Sequence, residues 1–203
     1  VENLKTGKIA TAKTTTLGHY DLDFSFIETR FFNRAQYPAE MLKYHTTLNP
    51  AYHDKRIVRF LYYEIKNDST YKKYLNWIPQ LQPLTKSDPP EDTLKQQFNE
   101  YYYRYLRDNI PVDPDVKRIA VGVDLILLVG NKDVFVYMEL AQRPDYYITF
   151  FEYTNIENGF GIFSSRYNYT FFAQKLKPET KDSLAYGRYT HNLRFADSEG
   201  NWH

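Results

Sequence analysis

The chain has 203 residues, enough for one domain with a sizeable hydrophobic core, and its 26 Lys and Arg residues nearly balance its 25 Asp and Glu residues. This balance excludes the strongly basic surface on which nucleic-acid binding depends. Cysteine is absent, which excludes a disulfide framework, a thiolate zinc site and a cysteine nucleophile. We therefore predict no nucleic-acid partner, and no residue pattern indicates a cofactor.

Aromatic residues make up 18% of the chain, with 20 Tyr, 14 Phe and 2 Trp. Tyrosine is frequent in strands because its ring packs against neighbours while its hydroxyl stays in water. The composition therefore favours a β-rich domain whose sheet faces carry tyrosine. A tyrosine surface that stacks on sugar rings or contacts a partner protein is the functional alternative.

The N-terminal third contains two segments with the periodicity of strands. Residues 1–16 are rich in Lys and Thr, and we expect a loose arm or an edge strand there. In residues 20–26, Tyr, Leu and Phe alternate with Asp and Ser, which is the period of a half-buried strand. Residues 56–66, RIVRFLYYEIK, are predicted to form a second strand that ends in a turn.

A proline-rich connection and an amphipathic helix follow. Residues 79–92 contain prolines 79, 83, 89 and 90, so we expect an ordered but irregular connection. A helix is predicted over residues 89–108, because Asp88 is suited to cap it and Pro89 to occupy its first turn. Apolar residues recur along it at spacings of three and four and predict one buried stripe. They are Leu94, Phe98, Tyr101, Tyr102, Tyr105 and Leu106.

The C-terminal half begins with the most hydrophobic strand, residues 116–129, which we predict to be central in its sheet. Its predicted buried face consists of Ile119, Val121, Val123, Leu125, Leu127 and Val129. Residues 130–144 fit either a hairpin that turns at Gly130-Asn131 or a short helix capped by Asn131 that ends before Pro144, and the helix is preferred. The last strand is expected at residues 191–197. We predict a single α+β domain over residues 1–203, mostly antiparallel β-sheet with one long amphipathic helix packed on it. A β-sandwich is the nearest alternative.

Residues 154–166, TNIENGFGIFSSR, look most like a functional signature. A Walker-type phosphate loop needs a lysine after its last glycine, and a dinucleotide fingerprint needs a third glycine where Ser164 stands. A nucleophile elbow needs glycines on both sides of its serine, and neither Ser164 nor Ser165 has them. The pattern excludes all three and favours a structural turn.

Backbone conformation explains the composition of this turn. Asn158-Gly159 is a strong signal for positive φ, and Gly161 permits a bulge or a close approach. We expect Phe160, Ile162 and Phe163 to anchor the turn in the core. The residues assigned to this structural signature are Asn155, Asn158, Gly159, Gly161, Phe163 and Arg166.

The same block carries a family resemblance. With VFVYMELAQRPD at 134–145 before it, TNIENGFGIFSSR resembles a block found in a family of uncharacterised lipoproteins of Bacteroidota, which resemble accessory lipoproteins of outer-membrane nutrient-uptake systems. The resemblance covers residues 117–170 and extends to 193–195. It implies a periplasmic or outer-membrane surface location, an outer-membrane transporter or another envelope protein as partner, and a lipid anchor upstream of Val1. It implies no catalytic residues.

The best candidate for a binding surface is an aromatic platform, whose rings would stack on a sugar. Its predicted members are Trp77, Tyr74, Tyr71 and Tyr103. Packing of these rings in the core beneath the proline-rich connection is the favoured alternative. Tyr103 is expected to be at least partly exposed, because three consecutive tyrosines on one helix cannot all face the core.

Catalytic and metal-binding patterns are weak. His45 and His53, with Asp54, are the nearest candidates for a metal site, but no histidine pair has the spacing of a helical zinc site, and we predict no metal. A glycosidase needs two carboxyl groups facing one cleft. The candidate pairs are Asp21 with Asp23, and Glu152 with Glu157.

The predicted function is a non-catalytic domain that binds a nutrient, either a glycan or a peptide, or binds a partner protein beside a transporter. The aromatic content and the lack of a catalytic signature favour binding, whereas the location in the cell envelope comes from the resemblance. The alternatives are a hydrolase that acts on polysaccharide with an Asp/Glu pair and a structural module for adhesion or assembly.

Overall fold

A computed structural model describes residues 1–22, 41–46, 48–78, 93–97, 100–141 and 153–202. The strands are β1 (Glu2–Asn3), β2 (Lys8–Ile9), β3 (Thr11–Ala12), β4 (Tyr20–Leu22), β5 (Met41–Thr46), β6 (His53–Lys66), β7 (Ser69–Trp77), β8 (Thr93–Gln97), β9 (Lys117–Gly130), β10 (Ile156–Glu157) and β11 (Arg166–Lys175). The helices are α1 (Glu100–Asn109), α2 (Lys132–Ala141) and α3 (Pro178–Tyr186), with a 3₁₀ helix at His191–Leu193. The fold is α+β, as predicted.

The largest sheet has four antiparallel strands in the order β11-β9-β6-β7. Strand β9 lies in its interior, as the sequence predicts, and the predicted face is buried from Val123 onward. Val121, predicted on the same face, is 38% exposed, because a bulge opposite Leu61 and Tyr62 shifts the register there. Val58, Phe60 and Tyr62 of β6 face the same core as Val123 and Leu125 of β9. The turn between β6 and β7 has positive φ at two consecutive residues, as tight hairpins require.

A second sheet has the order β4-β5-β8, and it corrects the predicted helix over 89–108. Residues Thr93–Gln97 pair antiparallel with β5, with Leu94 opposite Tyr44, and the helix runs only over Glu100–Asn109. Spacings of three and four predicted the helix, but pairing with a distant strand satisfies the backbone of 93–97 instead. Prolines 79, 83, 89 and 90 lie outside the described residues.

Helix α1 packs on the large sheet through a narrower stripe than its sequence predicts. Tyr102 and Leu106 are buried, but Tyr101, expected in the stripe, is 60% exposed. Tyr105 donates a hydrogen bond from its hydroxyl to the carbonyl oxygen of Asn76, 2.7 Å away on β7. This contact places α1 beside the β7 edge of the sheet.

The ambiguous segment after β9 forms the preferred helix, α2. Asn131 caps it, since its side-chain oxygen accepts a hydrogen bond from the backbone N–H of Val134 at 3.3 Å. The close approach of the helix requires glycine at position 130, because a Cβ there would lie 2.7 Å from the side chain of Val134.

The two ends of the chain are tied to the rest of the structure. Strands β1 and β2 pair with each other, and β3 pairs with β10, so the region predicted as an arm or edge strand carries short strands. The strand predicted at 191–197 is wrong. That segment forms the 3₁₀ helix and then a single bridge between Phe195 and Arg118, because the buried Arg118 side chain holds it instead.

Candidate functional site

The predicted aromatic platform does not form, because Trp77 is a core residue. Its side chain is 7% exposed and its ring packs edge-on against Tyr102, with the centroids 5.1 Å apart. Tyr71 and Tyr74 are exposed, but residues three apart on a strand point to opposite faces of the sheet. Tyr103 is half-buried against the core, and burial raises its pKa. The favoured alternative, core packing, applies to Trp77.

The signature turn is closed by one asparagine. The side chain of Asn155 donates a hydrogen bond to the carbonyl oxygen of Phe163 and accepts one from the N–H of Phe163, both at 2.7 Å. Its backbone N–H also donates to the carbonyl oxygen of Gly161 at 3.3 Å. We call residues 154–166 the Asn155 loop, because this side chain joins its two ends.

Positive φ occurs in the Asn155 loop, but not at the glycine for which we predicted it. Asn158 has a φ of 58° and Gly161 a φ of 106°, whereas Gly159 lies outside the positive region. Glycine is still required at 159, since a Cβ there would lie 2.8 Å from Cγ2 of Ile156. Asparagine tolerates the left-handed region better than most residues, which explains why it precedes the glycine.

The aromatic residues of the loop point outward, which corrects the expectation that they anchor it in the core. Phe160 is 87% exposed and Phe163 is 52% exposed. The loop is held instead by hydrogen bonds, including one from the Asn158 amide to the carbonyl oxygen of Ile9 at 3.3 Å. Arg166 begins β11 opposite Gly130.

The most developed polar cluster joins the segment around His19 to strand β11. His19 lies just before β4 and contacts two tyrosines of β11, and its Nε2 lies 3.1 Å from Oδ1 of Asp21. We call His19, Asp21, Tyr167 and Tyr169 the His19 cluster. The sequence pointed to Asp21, as half of a carboxylate pair, but to none of the others.

Buried neighbours fix the position of His19. Leu17 and Tyr20 are buried on either side of it, while the His19 side chain itself is 50% exposed. The hydroxyl of Tyr20 accepts a hydrogen bond from the N–H of Ala51 at 2.8 Å. Gly18 allows the chain to pass close to a neighbouring segment, because a Cβ there would lie 2.7 Å from the backbone nitrogen of Leu48.

A chain of hydrogen bonds runs through the cluster. The hydroxyl of Tyr167 lies 2.6 Å from Nδ1 of His19. Burial, followed by smaller electrostatic effects of Tyr169 and Asp21, raises the pKa of Tyr167, although a backbone hydrogen bond from Tyr20 lowers it. The phenol therefore stays protonated at neutral pH. In the His19 tautomer whose Nε2–H donates to Asp21, Nδ1 accepts the hydrogen bond from the Tyr167 hydroxyl.

The rings of the cluster have a regular arrangement. Tyr167 and Tyr169 are nearly parallel, with an interplanar angle of 12° and centroids 6.0 Å apart. His19 and Phe171 both meet Tyr169 edge-on, with ring centroids 5.2 Å and 4.6 Å from that of Tyr169. The surface therefore combines aromatic faces with an imidazole and a carboxylate, groups that can bind a polyhydroxylated ligand or pass a proton between them.

The other candidate sites are not assembled by the described residues. His45 is exposed on β5, the side chains of His53 and Asp54 lie outside the described residues, and the described part of the chain contains no group of three metal-binding side chains. Glu157 accepts a hydrogen bond from Thr11 at 2.8 Å, away from Asp21. Asp23 and Glu152, their predicted partners, fall outside the described ranges.

Comparisons with known proteins identify no relative. No family model matches the chain, and neither a curated protein nor a solved structure matches it. Among the described residues, no helix is long and apolar enough to cross a membrane. The site is therefore interpreted from its own geometry.

Proposed function

We propose that this chain is a non-catalytic binding domain that binds a nutrient glycan on the His19 cluster. The observation that supports this proposal is the arrangement of two nearly parallel tyrosine rings beside an exposed imidazole and carboxylate. A location in the cell envelope and a transporter partner belong to the same proposal. They are supported by the resemblance of residues 117–170 to envelope lipoproteins.

The chemistry of a sugar fits this surface. One face of a pyranose ring is lined by C–H groups and stacks on an aromatic ring, while its hydroxyls donate and accept hydrogen bonds. Tyr169, 37% exposed, provides the ring. Asp21, whose side chain is 47% exposed, provides an acceptor, and the imidazole of His19 is fixed by its two partners before a ligand arrives.

A glycan fits this surface better than a peptide ligand does, and better than the substrate of a glycosidase. An extended peptide would pair with the backbone of β11, which is an edge strand of its sheet, and would make no use of the imidazole and carboxylate that the cluster exposes. A glycosidase needs a second carboxyl group facing Asp21 across roughly 5–9 Å. Within the described residues, the partner of Asp21 is His19 instead.

The proposal is tested by titrating the protein with neutral oligosaccharides of several linkage types, and with peptides, in a calorimeter. We expect saturable binding of one glycan class, weakened at least tenfold by Tyr169→Ala and by Asp21→Asn. Tyr74→Ala is the matched control, because it removes an exposed tyrosine from β7, at the opposite edge of the same sheet.

Two outcomes would contradict the proposal. The first is that Tyr74→Ala weakens glycan binding as much as Tyr169→Ala does, which would place the ligand elsewhere. Alternatively, peptides bind and no oligosaccharide does, which would assign the domain to a different ligand class. Thermal unfolding of each variant shows whether a loss of binding reflects a loss of folding.

A further inference from the structure

A second cluster of side chains lies around Tyr189, in the turn after α3. The guanidinium carbons of three arginines approach its ring, with Arg188 at 4.5 Å, Arg104 at 5.3 Å and Arg107 at 5.7 Å from the centroid. Arg104 also donates a hydrogen bond from Nη2 to the hydroxyl of Tyr189 at 3.2 Å. We call these four residues the Tyr189 cluster.

Secondary structure brings these side chains together. Arg104 and Arg107 are three residues apart on α1 and therefore share one face of that helix. Tyr189 lies in the turn after α3, where backbone bonds from Gly187 to Ser183 at 2.9 Å and from Thr190 to Gly187 at 3.1 Å hold the chain. The convergence depends on two segments that are distant in sequence.

The cluster concentrates positive charge on a nearly neutral protein. The whole chain has a net charge of +1, yet three guanidinium groups surround one ring. Asp108 accepts a hydrogen bond from Arg107 at 2.7 Å and offsets part of this charge. Each guanidinium has five N–H donors, so an arginine that already has a partner can still donate to a bound anion.

Arginine is suited to such a site. Its planar guanidinium stacks on an aromatic ring with one surface and still presents N–H groups at its edge, which bind a carboxylate or sulfate bidentately. Tyr101, 60% exposed, lies next to the cluster, with the guanidinium of Arg104 5.9 Å from its ring. The surface therefore offers an exposed aromatic face beside the charges, which a simple inorganic anion would leave unused.

We propose that the Tyr189 cluster binds an anionic saccharide, whose carboxylate or sulfate groups contact Arg104 and Arg188 while a sugar ring stacks on Tyr101. This site is separate from the His19 cluster. Helix α1 contacts β7, and the His19 cluster lies on β11, at the opposite edge of the four-stranded sheet. The proposal therefore does not depend on the function proposed above.

A groove beside the cluster extends the surface available to a saccharide. It has a volume of about 590 Å³ and is formed by the chain on both sides of Arg188 and Tyr189 together with the segment after α1. Its polar lining includes His191 and Arg194. A chain longer than one sugar unit would find further donors there.

The test uses a sulfated hexasaccharide and its desulfated counterpart as probes, titrated into the full chain. The variant is Arg104→Gln with Arg188→Gln, both at exposed positions, and the control is Lys72→Gln with Lys175→Gln. Both double variants remove two positive charges, but the control lysines lie on β7 and β11. Vesicles containing an anionic phospholipid form a separate arm of the experiment.

We expect the sulfated probe to bind at least tenfold more tightly than the desulfated probe, with an affinity that falls as salt is added. The arginine variant should lose at least tenfold in affinity and the lysine variant less than twofold. Equal losses in the two variants, or no binding of the sulfated probe, would overturn the proposal. Binding to anionic vesicles without binding to the saccharide would overturn it as well, because the ligand would then be a lipid surface.

Discussion

Arg118 donates a hydrogen bond from Nε to Oε1 of Glu64 at 3.1 Å, and its Nη2 forms an ion pair with the same oxygen at 3.0 Å. The arginine side chain is 1% exposed, and its remaining donors bind the carbonyl oxygens of Leu193 at 2.7 Å and Pro111 at 2.9 Å. One side chain on β9 therefore connects β6 and the segment after α1 to the C-terminal segment. The charge is buried, but its hydrogen bonds are satisfied.

The first prediction concerns this arginine. Arg118→Met should reduce the free energy of unfolding by about 3–5 kcal/mol, because it leaves the Glu64 carboxylate and two carbonyl groups without their donor. Urea unfolding monitored by circular dichroism measures the change. Arg59→Met is a suitable comparison, since Arg59 is 34% exposed and lies 3.9 Å from Asp124 on the same sheet.

Arg118→Lys sharpens the test. A lysine keeps the charge but not the planar arrangement of donors, so it should restore only part of the lost stability. If both Arg118 variants unfold at the same urea concentration as the unmodified chain, the C-terminal segment is not held by this side chain.

The second prediction concerns Trp77, which the sequence analysis placed in a ligand-binding aromatic platform. Trp77→Ala should cost about 3–5 kcal/mol of stability, because it leaves a cavity beside Tyr102. Trp77→Phe should retain most of that stability. It should also remove the blue-shifted part of the tryptophan emission, because Trp202, the other tryptophan, is more exposed.

The role of Trp77 is decided by comparing the glycan affinity of Trp77→Phe with that of the unmodified chain. Unchanged affinity for the glycan, with reduced stability, is the result expected for a core residue. An emission spectrum of Trp77→Phe that is not red-shifted would mean that Trp77 is in contact with water, contrary to the structure.

The two long strands β6 and β9 could be predicted from sequence, because burial on one face repeats every second residue along most of their length. The helix predicted over 89–108 is wrong in residues 93–97, which form strand β8 instead. Leu94 satisfies a helical spacing locally, but its backbone pairs with β5, far away in the chain, and local periodicity contains no information about that pairing.

The candidate sites show the same limit more strongly. His19 and Tyr167 meet at 2.6 Å although they are 148 positions apart, and Arg104 meets Tyr189 across 85 positions. No spacing motif in the sequence predicts either contact. In contrast, the Asn155 loop was recognisable as a turn because its asparagines and glycines act on the local backbone.

The third prediction concerns that loop. Asn155→Ala should lower stability by about 1 kcal/mol, since it removes both hydrogen bonds to Phe163. Asn155→Asp keeps the acceptor but places a carboxylate beside the Phe163 carbonyl oxygen, so it should not rescue the loop. Limited proteolysis within residues 154–166 and thermal unfolding measure the two effects.

Asn168→Ala, at an exposed position on β11, is the control for the loss of an asparagine. A second variant, Gly161→Val, tests the backbone of the loop. It should lower the free energy of unfolding by about 1–3 kcal/mol, because a β-branched residue is strained at a φ of 106°. Equal cleavage of the Asn155→Ala and Asn168→Ala chains would show that the Asn155 hydrogen bonds do not order the loop.

The last prediction concerns pH and the ion pair between Lys66 and Asp113, whose Nζ and Oδ2 atoms are 2.8 Å apart. The hydrogen bond from Lys66 lowers the pKa of Asp113 below its ordinary value of 3.8, and the same contact raises the pKa of Lys66 above 10.5. Because the folded pKa of Asp113 is depressed, its stabilising effect is present above pH 3.8 and is lost as pH falls through the folded pKa.

The pKa of Lys66 shifts in the opposite direction from that of Asp113. Its folded pKa is raised, so its contribution is complete below pH 10.5 and is lost as pH rises through the folded value. Asp113→Asn should therefore lower stability at neutral pH, and the difference between the two proteins should shrink below pH 3.8. The difference should be small and should decrease with added salt, because both side chains are in contact with water. Urea unfolding at pH 3, 7 and 7 with added salt measures it, and a difference that grows on acidification would contradict the assignment of this pair.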